Sequence, residues 1–259
     1  MNALHVEWSG SGPPLVLLHG WAMHGGLFAP LVPTLAARYS VAVVDLPGHG
    51  FSSALPLTSL DAMVAALAAE FAREAQPLHV LGWSLGGAVA LRWAHVAPTR
   101  MARLLLVSST PRFTVAPDWP HAMDPTTLAR FGDELAAAYR LTLQRFLTLQ
   151  VQGSDAGRAS LHALREALFA RGEPSPQALR AGLAILQDED LRAEAAHIAT
   201  PTLVVSGDRD ALTAPAAGAW LAAAMPDARH VLIPGAAHAP FLSHREAFDT
   251  ALTPFLDAR

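Results

Sequence analysis

The sequence predicts an α/β fold, a mostly parallel sheet with helices on both faces and an inserted helical lid. Three observations carry this reading. Short, continuous apolar runs recur along the 259 residues, segments with helical apolar spacing alternate with them, and the alternation stops between Pro111 and Asp190 before it resumes. Alternating strand and helix is the pattern of a sheet whose strands are joined by crossover helices.

The first run is Leu15-Val16-Leu17-Leu18. Val41–Val44, His79–Leu81, Leu104–Val107, Thr202–Val205 and His230–Ile233 follow it. A strand with one wet face alternates polar and apolar residues; these do not, so both of their faces are expected to be buried. After the second run, Leu60, Met63, Val64, Leu67 and Phe71 keep the spacing of a buried helical stripe, and Thr58 with Asp61 resembles a capping box. The third run leads into a helix from Ser84 to Ala97, whose Gly86, Gly87, Ala88 and Ala90 permit close packing on the sheet. Beyond the fourth run the strand signal disappears. Asp124 before Pro125, Asp155, and Ser175 before Pro176 read instead as helix starts, with a capping side chain and, in two cases, proline in the first turn. The chain therefore divides into a core of residues 1–110 and 191–259 and a helical lid of residues 111–190.

Composition narrows the function. Hydrophobic residues make up 52% and charged residues 15%, which marks a globular chain rather than a disordered one. The net charge of -4 speaks against nucleic acid as a partner, because phosphate binding needs a basic surface. There is no cysteine, so disulfides, thiolate catalysis and thiolate-bound metals are excluded. Lysine is absent too, which removes Schiff-base and Ser-Lys chemistry. Met1 to Trp8 lacks the basic stretch and apolar run of a signal peptide, and no apolar run approaches the ~18 residues of a membrane span. A cytoplasmic monomer with no membrane partner is expected.

Gly82-Trp83-Ser84-Leu85-Gly86 matches G-x-S-x-G, and it stands where that motif does chemistry, between a strand and a helix. A serine hydroxyl needs a base within hydrogen-bond reach. His238, five residues beyond the run ending at Ile233, is the candidate; His244 is expected on the following helix. Gly207-Asp208-Arg209-Asp210 supplies the acid. Either aspartate could orient the imidazole, and Asp210 is preferred because the extra loop residues extend its reach. Asp208 would then be a turn residue paired with Arg209, and Asp45 would brace the Pro47–Gly50 turn. An oxyanion needs two donors, here the backbone N–H groups of Leu85 and Trp21. Nothing in the sequence asks for a metal or another cofactor.

These residues resemble the pimeloyl-[acyl-carrier protein] methyl ester esterases of biotin synthesis, a family of the α/β-hydrolase superfamily. The broad signals are His19-Gly20, Asp45 to Gly50, the serine turn and His238. The narrower ones are Leu81–Gly87, Ser108–Phe113, Asp118–Pro120, Arg145–Gln150, Gly182–Leu186 and Ala237–His244. The resemblance implies a carboxylesterase that releases methanol from a pimeloyl methyl ester on acyl-carrier protein, with Asp210 as the acid. It implies further that Phe146, Leu147, Thr148, Leu149 and Gln150 line the acyl channel, with Trp21 and Leu85 at the oxyanion. Carrier proteins are acidic, and residues 128–171 hold six arginines against four acids. Arg140, Arg145 and Arg158 are the implied carrier contacts; Arg140 is shifted from the family position, and His162 replaces a further arginine. The same core also serves short-chain carboxylesterases, carbon–carbon bond hydrolases and non-catalytic ligand receptors. Substrate identity therefore rests on the lid rather than the triad.

Overall fold

The computed structural model describes residues 4–258, so Met1 to Ala3 of the amino-terminal stretch lie outside the described residues. In chain order the elements are β1 (His5–Ser9), β2 (Pro14–Leu18), α1 (Val32–Ala36), β3 (Ser40–Asp45), α2 (Leu60–Glu70), β4 (Leu78–Trp83), α3 (Leu85–Val96) and β5 (Met101–Val107). Then come α4 (Pro125–Val151), α5 (Gly157–Leu168), α6 (Pro176–Asp188), α7 (Arg192–Ala195), β6 (Thr202–Gly207), α8 (Pro215–Ala224), β7 (Ala228–Ile233), α9 (Pro240–Ser243) and α10 (Arg245–Asp257). The strands form one seven-stranded sheet in the order β1-β3-β2-β4-β5-β6-β7. Only β1 runs antiparallel to its neighbour.

All six expected runs are strands, and the central ones are buried along their length. His230–Ile233, however, is not buried on both faces, because β7 is an edge strand and Leu232 is 47% exposed. β1 is the strand that the apolar runs do not announce. It lies at the sheet edge, its exposure is mixed, and His5-Val6-Glu7-Trp8-Ser9 offers no continuous apolar stretch. Topology then fixes where helices go. The β2-to-β3 connection moves toward one edge of the sheet, whereas the later connections move toward the other. Right-handed crossovers place α1 on one face and α2, α3 and α8 on the opposite one. α10 joins α1: Tyr39, just past α1, donates its hydroxyl hydrogen bond to Asp257, and Arg245 donates to Thr34.

Between β5 and β6 the described chain holds no strand longer than an isolated bridge, and α4, α5 and α6 fill the interval. The caps of α4 and α6 are as the sequence suggests: Asp124 accepts from Thr126 and Thr127 N–H, and Ser175 from Ala178 N–H. Two expected caps are corrected. Ser59, not Thr58, caps α2 by accepting from Ala62 N–H. Asp155 caps nothing; α5 begins two residues later without a side-chain cap, and the Asp155 carboxylate pairs with Arg209 instead. α4 is broken at Ala138, whose φ of -150° and ψ of 61° are not helical. Among the described residues, no helix is long and apolar enough to cross a membrane.

Three core histidines set how this fold responds to acid. Burial holds the imidazole of His19 well below the usual histidine range and pushes those of His49 and His79 down to about 4. The unfolded chain binds protons near pH ~6.5, where these folded histidines do not. Stability is therefore full above that pH and is lost as pH falls from ~6.5 toward 4, on the order of 2 kcal/mol at pH 5 for the fully buried His49 alone. Urea midpoints at pH 7.5 and pH 5.0 check this; equal midpoints would mean that these rings are not held neutral.

Candidate active site

The strand order reverses between β2 and β4, and in a parallel sheet the crevice at the carboxyl ends of such a pair is where ligands bind. Each candidate residue stands at a strand's carboxyl end. Ser84 follows β4, His19-Gly20-Trp21 follows β2, Asp210 follows β6, and His238 follows β7.

Ser84 has φ 55° and ψ -117°, a region that non-glycine residues rarely occupy, and so it sits on a strained turn. The surrounding glycines make that turn possible. A Cβ on Gly82 would lie 2.3 Å from the Gly86 carbonyl oxygen, and one on Gly86 would lie 2.2 Å from that of Leu18. Backbone bonds hold the turn from both sides. Ser84 N–H donates to Val107 O at 2.9 Å, and Ser84 O accepts from Gly87 N–H at 2.9 Å and from the Ser109 hydroxyl at 3.0 Å.

The loop after β2 lies against this turn, since a Cβ on Gly20 would be 3.2 Å from Ser84 Cβ. His19 pins the loop. Its Nε2 accepts from Leu46 N–H at 2.9 Å, so its Nδ1 carries the proton and donates to Gly20 O at 2.8 Å. Trp21, 2% exposed, donates from Nε1 to Leu179 O at 2.9 Å, tying α6 to the loop. Gly182 permits that approach, because a Cβ there would meet the Trp21 ring at 2.6 Å.

His238 and Asp210 form a buried pair. His238 Nδ1 lies 2.9 Å from Asp210 Oδ2 and 3.1 Å from Oδ1. Oδ1 also accepts from Leu212 and Thr213 N–H at 2.9 and 3.0 Å, and Oδ2 from the Thr213 hydroxyl at 2.7 Å. Burial alone would push the Asp210 carboxyl up, but the charge and hydrogen bond of His238 and the two bonds from Thr213 hold it below the usual carboxylate range. Trp83 draws this pair toward the serine turn, donating from Nε1 to His238 O at 2.8 Å with its ring 5.6 Å from the imidazole.

The competing residues go elsewhere. Asp208 accepts Gly235 N–H at 2.7 Å and so supports the histidine loop, while Arg209 pairs with Asp155 rather than with Asp208. His244, expected on the helix, stands just before α10 without a side-chain capping bond, 2.8 Å from the Ser243 hydroxyl. Asp45 accepts from Phe51 N–H at 2.9 Å and from Gly25 N–H at 2.7 Å, and it pairs with Arg171 of the inserted segment.

A small recess at Ser84 is walled by Thr110, Pro111, Phe113, Leu186 and Thr213. It shares Phe113 and Leu186 with a larger, mainly apolar cavity of about 420 Å³, walled also by Trp21, Phe131, Phe146 and Leu183. Phe146, Thr148 and Leu149 reach this wall, but Leu147 and Gln150 do not. Five consecutive helical residues cannot share one face when each turns by about 100°. Leu147 is fully buried, and Gln150 contributes its backbone oxygen, which accepts His238 N–H at 3.0 Å. Of the three arginines, Arg145 reaches the cavity wall and pairs with Glu134 at 3.3 Å. Arg140 pairs with Glu173, and Arg158 is exposed on α5. Such exposed pairs are weak and exchange readily for another anion. Thr213 escaped sequence reasoning, although an aspartate followed three residues later by threonine is the spacing at which a turn returns two donors to its own carboxylate. Among the described residues, no cluster of three or more histidine, aspartate or glutamate side chains could hold a metal ion.

Ser84 shares the lining of its recess with Thr213, which bonds to Asp210 of the buried His–Asp pair. A serine activated by such a pair can attack a carbonyl carbon, with the imidazole carrying the proton. Comparisons with known proteins bear on which carbonyl. Residues 13–245 match the model of the α/β-hydrolase fold family. The chain is 46% identical over 256 residues to a pimeloyl-[acyl-carrier protein] methyl ester esterase of Xanthomonas oryzae pv. oryzae, covering 98% of each chain. It is 45% identical to the enzyme of the same name from Chromobacterium violaceum, covering 99% of each. Among solved structures, the bromoperoxidase of Bacillus anthracis superposes with a TM-score of 0.90 at 25% identity, covering 98% of this chain and 95% of that one.

Proposed function

The chain belongs to the α/β-hydrolase family, among the pimeloyl-[acyl-carrier protein] methyl ester esterases, and from that membership we propose that it is a serine carboxylesterase of biotin synthesis. It hydrolyses the methyl ester of pimeloyl-acyl-carrier protein to pimeloyl-acyl-carrier protein and methanol. The observation that carries this reading is the reach of the likeness, which includes α4 to α6 and therefore the residues that choose the substrate. Those helices act as a lid over the core.

The mechanism is two acyl transfers. His238 takes the Ser84 proton as Oγ attacks the ester carbonyl, and the N–H groups of Leu85 and Trp21 receive the oxyanion. The tetrahedral species collapses, His238 protonates the departing methoxide, and methanol leaves. Water, deprotonated by the same imidazole, then attacks the acyl-serine, and Ser84 recovers its proton. Asp210 holds the imidazole with Nδ1 protonated, leaving Nε2 free to act as the base. The small recess at Ser84 suits a methyl group, and the adjoining apolar cavity suits the methylene chain that leads back to the carrier. Arg140, Arg145 and Arg158 meet the acidic carrier, with Glu173 and Glu134 displaced as it docks.

Paired rates test this. Wild-type protein should cleave methyl pimeloyl-carrier protein with a kcat/KM at least about 100-fold above that for a free short-chain aryl ester, a difference of about 3 kcal/mol in transition-state binding. Equal values would leave the esterase but remove the carrier as its substrate.

A further inference from the structure

We propose that Thr213 is a positioning residue, whose hydroxyl clamps the Asp210 carboxylate in the orientation that directs His238. The inference rests on the Ser84–His238–Asp210 reading and adds a fourth member to it. Thr213 is 3% exposed, and its hydroxyl stands at a junction of two groups. It donates to Asp210 Oδ2 at 2.7 Å, the carboxylate oxygen that is also nearer to His238 Nδ1, and it lies 3.4 Å from that nitrogen.

A hydroxyl has a single proton. Here that proton is committed to the carboxylate, so the oxygen presents only lone pairs toward Nδ1. The imidazole is thus offered acceptors by both neighbours, and the tautomer with the proton on Nδ1 is the one that both stabilise. The hydroxyl also adds a bond outside the Asp210 loop backbone. Leu212 and Thr213 N–H hold Oδ1, and without the hydroxyl nothing but the imidazole itself would hold Oδ2. A carboxylate fixed at one oxygen can swing about it, and the imidazole would follow. Misplacement of a base by a fraction of an ångström is costly because attack demands aligned atoms.

Thr213 also lines the recess at Ser84, so a packing role must be told apart from a hydrogen-bonding one. Two substitutions divide them. Thr213→Val keeps the shape and removes the hydroxyl; Thr213→Ser keeps the hydroxyl and removes the methyl. On a short-chain aryl ester, T213V should lower kcat about tenfold with KM within about twofold of wild type, the cost of losing one hydrogen bond to a charged group. T213S should stay within about twofold of wild type in kcat. Wild-type kcat in T213V, or equal losses in both variants, would overturn the proposal in favour of a merely shaped wall. If T213V does not accumulate as folded protein, T213A read against T213S asks the same question. Serine should exceed alanine at least about fivefold, and equality would overturn the clamp. Ser84→Ala run on the same ester separates the failures: activity independent of Ser84 would sink both readings, whereas a flat Thr213 series sinks this one alone.

Discussion

Ser84→Ala should lower kcat for ester hydrolysis by on the order of 10⁴–10⁶-fold and leave the fold unchanged. The magnitude follows from the absence of a substitute. The nearest hydroxyl in the hydrogen-bond pattern, that of Ser109, is committed to the Ser84 carbonyl oxygen, and the chain has no cysteine or lysine that could take over as nucleophile. What remains is water attack assisted by His238 and the oxyanion donors, which accounts for the residual rate. The fold should persist because the bonds that hold the turn are made by the Ser84 backbone. Alanine keeps that backbone, and Ala22 shows that an alanine is tolerated at a φ of 64° elsewhere in this chain. The check is kcat on a short-chain aryl ester, together with the thermal midpoint of the variant. Retention of more than about a tenth of the wild-type rate at an unchanged midpoint would place the nucleophile elsewhere.

What the sequence disclosed and what it hid divide along physical lines. Strands buried on both faces must be apolar throughout, so β2 to β6 are visible as runs, whereas the two edge strands need only one neighbour. Of these, β1 carries His5, Glu7 and Ser9, and β7 is visible only because His230–Ile233 is mainly apolar despite its mixed exposure. Helix starts were readable where a cap is followed by proline, as at Asp124 and Ser175, because both residues are selected by local backbone geometry. Asp155 misled for the opposite reason. Its carboxylate is taken by Arg209, 54 residues away, a contact that no local pattern encodes. The serine turn could be found because a tight turn demands glycine at fixed offsets. The direction of Leu147 and Gln150 could not, because which side of α4 faces the cavity is set by tertiary packing.

That packing also joins the inserted segment to the proposed chemistry. Gln150 O accepts the His238 N–H, and Asp155 N–H donates to Gly235 O at 3.0 Å. Arg209, one residue before Asp210, donates to Gly153 O and pairs with Asp155. The turn between α4 and α5 is therefore part of the scaffold of the histidine loop. Motion of α4 would act on the His238 backbone through Gln150 O, while the Trp21–Leu179 bond anchors α6 to the loop after β2.

Asp210→Asn should lower kcat by about 10³–10⁴-fold, whereas Asp208→Asn should change it by less than about threefold. An Asp210 carboxylate accepts on both oxygens: Leu212 and Thr213 N–H on Oδ1, the Thr213 hydroxyl on Oδ2, and His238 Nδ1–H on either. Asparagine has one oxygen and one NH₂. If its oxygen keeps the two backbone donors, its NH₂ faces the imidazole and favours the tautomer with Nδ1 bare and Nε2 protonated. That tautomer cannot accept the Ser84 proton, and so the variant should retain its structure and lose its base. Asp208 is in a different position. It is exposed, and among the described residues its carboxylate has one hydrogen-bond partner, Gly235 N–H on Oδ1, which an asparagine oxygen can still accept. Kinetics of the two variants on one ester decide between them. A larger loss at Asp208 would reassign the acid, and the four donors gathered on Asp210 would then describe a structural carboxylate rather than a catalytic one.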